Sequence, residues 1–332
     1  MLTWVQATFL GLLQGFSELF PVSSLGHTVL LPTFFGWGNV QSAPTFLPFV
    51  VMLHLGTATA LLWFYRDRWI AVIRAFVVSA VRGRLSHTPD EHLAWMLFFG
   101  TIPAGIIGAV LEKPLKQLFA TPLIAAIFLI VNGGIMLLSE RLRTRQQTAS
   151  VAFQGDTLNG PRGVVALQGD QLSMTRGVDI RDGAPGGGSL GGARAAQVEE
   201  RTRGIQDLTW RDAIMIGSAQ ALALIPGISR SGVTMCAGLL RNMGHEEAAN
   251  YTFMLATPII LAAGLLEVPT LVMAGGSVLA IAIVGGLLAG LAAYLSVRFL
   301  VRYFQFGHLD PFAYYCIALG VVGVVFVAVH GG

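Results

Sequence analysis

The sequence predicts an all-α integral membrane protein built as an inverted-topology repeat. Each unit is a re-entrant helical hairpin followed by three transmembrane helices, six spans in total. Three observations carry this reading. The 332 residues are 54% hydrophobic and only 12% charged, with a mean hydropathy of +0.67, whereas a soluble domain carries about 25% charged residues. Six apolar runs reach the roughly 20 residues needed to cross a bilayer. Two further apolar segments are interrupted in their middles by Pro, Ser and Gly, so neither half of either one spans comfortably.

The first interrupted segment is 2–37, around "FPVSS". Irregular backbone at membrane depth is tolerated only where protein or water satisfies it, which predicts a re-entrant hairpin turning at Pro21. Continuous runs at 44–65, 92–112 and 121–139 follow as spans, while 69–81, with Arg74 inside it, is too short and is read as interfacial. From Arg141 the character changes. "GDTLNGPRG", "GDQLSMTRG" and "DGAPGGGSLGGARAA" are polar, Gly-rich and without periodicity, which predicts a flexible cytoplasmic insertion over 142–206. The second interrupted segment, 209–241 around "IPGISRSG", predicts the second hairpin, and 246–268, 276–303 and 311–330 are its three spans. The organisation is therefore 1–141, first repeat; 142–206, insertion; 207–332, second repeat.

Three spans is an odd number, so the second unit enters from the opposite face and the two hairpins dip toward each other. Of 21 basic residues, 18 fall on one side of this arrangement, which makes that side cytoplasmic and turns both termini outward. The first hairpin then enters from outside, and a site between the hairpins opens outward. The apolar N-terminus has no basic leader and is read as mature protein. Cys236 and Cys316 both lie in apolar runs, so no disulfide framework or zinc spacing is available. No Walker loop, dinucleotide fingerprint or nucleic-acid surface is present. The bilayer is the first partner, and a homodimer is kept as a second.

Glu18 is the only formally charged residue among the first 65, and a carboxylate in hydrocarbon costs several kcal/mol. Around it lie Gln14, Ser17, Ser23, Ser24 and His27. Gln14 and Glu18 are four apart on one helix face. Ser23 or Ser24 can cap the returning helix, and His27 follows Ser24 by three, as a nucleophile and base would. Capping serines, a core histidine and a snorkelling glutamate are the bland alternative. In the second hairpin, Pro226 and Gly227 make a turn and Ser229 and Ser231 can cap, leaving a helix N-terminus suited to an anion. Arg230 adds a forked cation that fits phosphate oxygens, or else pairs with Glu18. His54 lies in a span and either faces the site or packs in the core.

"QGFSELFPVSSLGH" and "PGISRSG" resemble the two signature motifs of the undecaprenyl-pyrophosphate phosphatase family of the bacitracin-resistance type. "TIPAGIIG" and "RNMGHEEAANYTFMLATPII" are similar to family segments, and the likeness covers nearly everything outside roughly 142–206. The resemblance implies a hydrolase of the bacterial inner membrane that converts a polyprenyl diphosphate to the monophosphate, recycling the lipid carrier for cell-wall and peptidoglycan synthesis. It assigns Ser24, His27 and Glu18 to catalysis. Arg230, Ser229, Ser231, Gly227 and Ser23 fall to the phosphate, with Gln14 and Ser17 in support. It also implies Mg²⁺ or Ca²⁺, for which Glu18 is the ligand unless it orients His27 instead, although Gln14 stands where many relatives have glutamate. Leu25 replaces the threonine usual in "SSTGH". Attack by water or by His27 itself stays open. The competing class is an inverted-repeat transporter or lipid flippase for an anionic substrate, which would share the architecture but needs no nucleophile beside a phosphate site.

Overall fold

Backbone groups inside a bilayer must be satisfied within the chain, and helices do this locally. The computed structural model describes residues 2–37, 43, 45–83, 87–118, 121–159, 202–273 and 275–330, and these are almost wholly helical. The one extended pairing among the described residues is an isolated bridge between Arg203 and Met243.

The chain opens with two short helices, α1 (Trp4–Ser17) and α2 (Ser24–Phe34). Then come α3 (Phe46–Phe64), α4 (Arg66–Arg82), α5 (Pro89–Leu118) and α6 (Pro122–Asn159). A second short pair follows, α7 (Trp210–Ala219) and α8 (Arg230–Leu240), with a 3₁₀ turn at Gln220–Leu224 between them. The chain ends with α9 (His245–Met273), α10 (Gly276–Tyr303) and α11 (Asp310–His330). Six of these helices, α3, α5, α6, α9, α10 and α11, are long and apolar enough to cross a membrane. They coincide with the six continuous runs read from the sequence.

Helix α4 is amphipathic. Ile70, Ile73, Val77 and Val81 are exposed on a helix that also carries Arg66, Arg68, Arg74 and Arg82. That is the signature of a helix lying in the interface plane, as 69–81 was read. Small residues bring α10 against its neighbours, and a Cβ on Gly56 of α3 would fall onto the carbonyl oxygen of Gly286 of α10.

The chain divides into two units, Met1–Thr144 with Thr202–Gly332, and Arg145–Arg201. Of the insertion expected over 142–206, residues 160–201 lie outside the described residues. Helix α6 continues as far as Asn159, so this part of the expected linker is helical. At the other edge, Arg203 N donates to Asn242 O at 2.9 Å and Ile205 N to Glu247 Oε2 at 3.1 Å.

Candidate active site

Helix α1 is started by a capping box, Thr3 with Gln6. Its last turn closes with Glu18 N donating to Gln14 O at 2.9 Å. Pro21 then turns the chain, because it has no N–H to continue a helix. Ser23 sits at φ 65°, in the left-handed region that non-glycine residues rarely adopt, and its side chain caps α2 by accepting from Gly26 N at 3.2 Å. Such a backbone costs about 1–3 kcal/mol and persists where the surroundings overdetermine it, often at functional sites. The result is Ser24 at the head of α2, with Oγ donating to Glu18 Oε2 at 2.5 Å. Gln14 Nε2 donates to the same oxygen at 2.9 Å.

In the second hairpin the turn rests on Gly227, at φ 101°, where a Cβ would also collide with the carbonyl oxygen of Ala125. Ser229 caps α8 by accepting from Gly232 N at 3.1 Å, which places Arg230 on the first helical position. The Arg230 guanidinium donates to Glu18 Oε1. One side chain on α6 joins the two turns: Asn132 accepts from Ser229 N at 3.0 Å and donates to Pro21 O at 3.3 Å. Ser231 Oγ adds a bond to Phe20 O at 3.0 Å.

Of the two histidines, His54 takes the first of its two alternatives and faces the site, while His27 is placed differently from expectation. His54 Nε2 lies 3.2 Å from Glu18 Oε2, and its Nδ1 lies 2.8 Å from Val50 O. A ring nitrogen facing a carbonyl must carry hydrogen. The ring therefore turns Nε2 toward the Glu18 carboxylate and is held in that orientation by the backbone behind it. His27, expected to pair with Ser24, does not reach it. Its Nδ1 donates to Ser23 O at 2.7 Å, its Nε2 lies 2.7 Å from Tyr315 Oη, and the two rings stack at 5.6 Å. The hydroxyl found its partner across the turn and the imidazole found its own on α11.

A cavity of about 260 Å³ opens beside these groups. Glu18, Ser23, Ser24, His54, Ser229 and Arg230 line it, and most of the remaining wall is aliphatic, including Leu25, Leu47 and Val50. Other expected site residues stand outside it. Ser231 and Gly227 hold the turns together, and Ser17 Oγ donates back to Leu13 O at 2.7 Å. The amides of Ser229 and Gly232, expected to face an anion, are occupied by Asn132 and by the cap. Gln220 also lines the cavity, and sequence reasoning passed over it. The available signal was its place six residues before Pro226, close to that of Gln14, seven before Pro21.

The donor set does not suit a divalent cation held by the protein. Glu18 is the only carboxylate on the cavity wall, and both of its oxygens are engaged by Arg230, Ser24, Gln14 and His54. No group of three or more His, Cys, Asp or Glu that could hold a metal ion occurs among the described residues. A hard cation takes six or more oxygens, waters and substrate phosphates among them, so Glu18 would have to give up one of these partners to contribute. No catalytic step is assigned to Mg²⁺ or Ca²⁺.

Fold and site together define a class: a polytopic membrane protein with hydroxyl, carboxylate and guanidinium groups gathered on the wall of an otherwise apolar cavity. The family model described as "Bacitracin resistance protein BacA" matches residues 7–167 and 186–322, and the chain belongs to that family. The match runs into the segment that the motif resemblance left out. Among curated relatives, the chain is similar to "Undecaprenyl-diphosphatase 2" of Frankia alni, 45% identical over 340 residues and 98% of each chain. It is 40% identical to "Undecaprenyl-diphosphatase 1" of Frankia casuarinae, over 97% of this chain and 98% of the relative. It is 43% identical to "Undecaprenyl-diphosphatase 2" of Burkholderia orbicola, over 94% and 93%.

Proposed function

We propose that this protein is an undecaprenyl-diphosphatase, a membrane hydrolase that removes the terminal phosphate of undecaprenyl diphosphate and returns the monophosphate carrier to cell-envelope synthesis. The observation that carries the reading is Ser24 Oγ held 2.5 Å from Glu18 Oε2, with Arg230 on the other carboxylate oxygen at the wall of an apolar cavity. A transporter has no need of a hydroxyl paired with a base beside an anion site. The family match and the names of its relatives favour the hydrolase as well.

The mechanism follows from these contacts. The isoprenoid end of the substrate lies along the aliphatic wall and the head group meets Arg230. Ser24 Oγ attacks the terminal phosphorus and passes its proton to Glu18 Oε2. The P–O bond to the bridging oxygen breaks, its electron pair leaves with the lipid monophosphate, and Glu18 hands the proton to that oxygen. Water then attacks the phosphoserine. Glu18, again a carboxylate, takes the water's proton and returns it to Ser24 Oγ as that P–O bond breaks and phosphate is released. Arg230 offsets charge on the phosphoryl oxygens in both steps. His54, held from behind by Val50 O, packs its Nε2 against Glu18 and keeps that carboxylate in place. His27 braces the head of α2 through Ser23 O and Tyr315. Direct attack by water is the second route, and Ser24→Ala separates the two.

The arginine asymmetry supports hairpins entering from opposite faces, with the cavity opening on the outer side of the inner membrane. The hydrogen bonds between the two turns support hairpins that meet. The family description ties such a protein to bacitracin resistance. The test is phosphate release from undecaprenyl diphosphate by the purified protein in detergent. Binding of the lipid without phosphate release, or its transfer across a vesicle membrane unhydrolysed, would overturn the proposal.

A further inference from the structure

Gln220 is 3% exposed, begins the 3₁₀ turn of the second hairpin, and lines the same cavity as Glu18, Ser24 and Arg230. Neither its Nε2 nor its Oε1 has a hydrogen-bond partner among the described residues. A primary amide can make up to four hydrogen bonds, and a buried one left without any is a cost that an apolar side chain of the same length would avoid. Other orphaned groups do not share this setting. Gln14 has one free end, Oε1, but its Nε2 is spent on Glu18 and it does not line the cavity; the Thr234 and Thr252 hydroxyls are orphaned away from it. Among the described residues, Gln220 alone combines an unpaired amide with a place on this wall.

The wall indicates what the amide serves. Among the described residues, Arg230 is the one arginine or lysine that lines the cavity, and it is already engaged by Glu18. A diphosphate carries more oxygens than one guanidinium can meet. A neutral amide adds two N–H donors without a charge that would compete with Arg230 for Glu18. We infer that Gln220 is a substrate-binding residue that donates hydrogen bonds through Nε2 to the diphosphate head group. The inference rests on the hydrolase reading above for its ligand.

The test uses the full-length protein in detergent, with undecaprenyl diphosphate as probe and two readouts: phosphate release and lipid binding. Gln220→Met keeps the length and removes the orphaned polar atoms, so its melting temperature should equal or exceed that of the wild type. Its kcat/KM should nevertheless fall by about ten- to a hundredfold, as for a lost bond to a charged group, with lipid binding weakened. Gln220→Glu adds like charge and should fall further. A Gln220→Met protein with kcat/KM within twofold of wild type would overturn the inference. So would one that melts earlier while each folded molecule binds and turns over normally, since that marks a structural glutamine. A wild type that binds the lipid but releases no phosphate would sink the hydrolase reading alone. Gln220 would then stand or fall on the binding loss.

Discussion

At the scale of single residues, Glu18, Ser24 and Arg230 were legible because each is costly or out of place in a greasy run, and their convergence in the structure follows the same logic. Histidines are harder to read. Helical spacing gives a face but not the partner across the fold, and Tyr315 lies 288 residues from His27. The sequence leaves His54 between site and core, because Thr57 and Thr59 beside it do not say which way it faces, and Gln220 carries no charge. The placement is testable by comparing turnover with melting temperature. His54→Gln removes the imidazole behind Glu18 and should lower turnover per folded molecule. His27→Gln should chiefly lose stability through Tyr315. Turnover per folded molecule of His54→Gln equal to wild type would remove His54 from the site. Ser24 and Arg230 should behave as a unit. Arg230→Lys keeps charge but loses the fork and should cost about ten- to a hundredfold in turnover. Ser24→Ala should nearly abolish turnover while lipid binding persists, and the double variant should be scarcely worse than Ser24→Ala. If Ser24→Ala kept more than about a tenth of the wild-type rate, attack by water would replace it.

At the scale of elements, the long helices were legible from hydropathy alone, since a run of apolar residues at this length has few other destinies. The hairpins were legible from their breakers, Pro21 and Pro226 with Gly227. What joins them was not. Asn132 is an unremarked amide in the third span, yet it bonds the turn of one hairpin and the cap of the other. Removing it orphans the Ser229 N–H and leaves Pro21 O with only the weak Cys316 thiol at 3.7 Å. Asn132→Ala should therefore cost about 2–4 kcal/mol of stability, and it should lower turnover by more than the loss of folded protein explains, because Arg230 and Ser24 would no longer be held in register. Measuring activity per folded molecule across a thermal series separates the two effects. Turnover per folded molecule equal to wild type would mean the hairpins align without it.

At the scale of the whole molecule, charge asymmetry made the proposed orientation legible, whereas the extent of helix α6 past Arg141 was hidden by a composition that resembles a linker. Cysteine at Asn39 should react with an impermeant thiol reagent outside intact cells and cysteine at Gly186 should not; labelling of both from one side would contradict opposed hairpins. Replacing 160–201 with a short Gly/Ser linker should leave hydrolysis within a few-fold, because its polar, Gly-rich composition offers no core and no site residue. Total loss from an inserted, folded protein would give the segment a direct part in activity.

The modest size of the cavity has a further consequence. About 260 Å³ leaves room for a head group and the first carbons behind it but not for a long isoprenoid chain. Most of a long isoprenoid tail must then stay among the acyl chains while its phosphates react. The protein samples its substrate from a two-dimensional solution and has little means of measuring how long that tail is. Rate should follow the mole fraction of diphosphate lipid within the bilayer. Adding plain phospholipid to the same vesicles should slow the reaction, and diluting the vesicles in buffer should leave the turnover of each enzyme molecule unchanged.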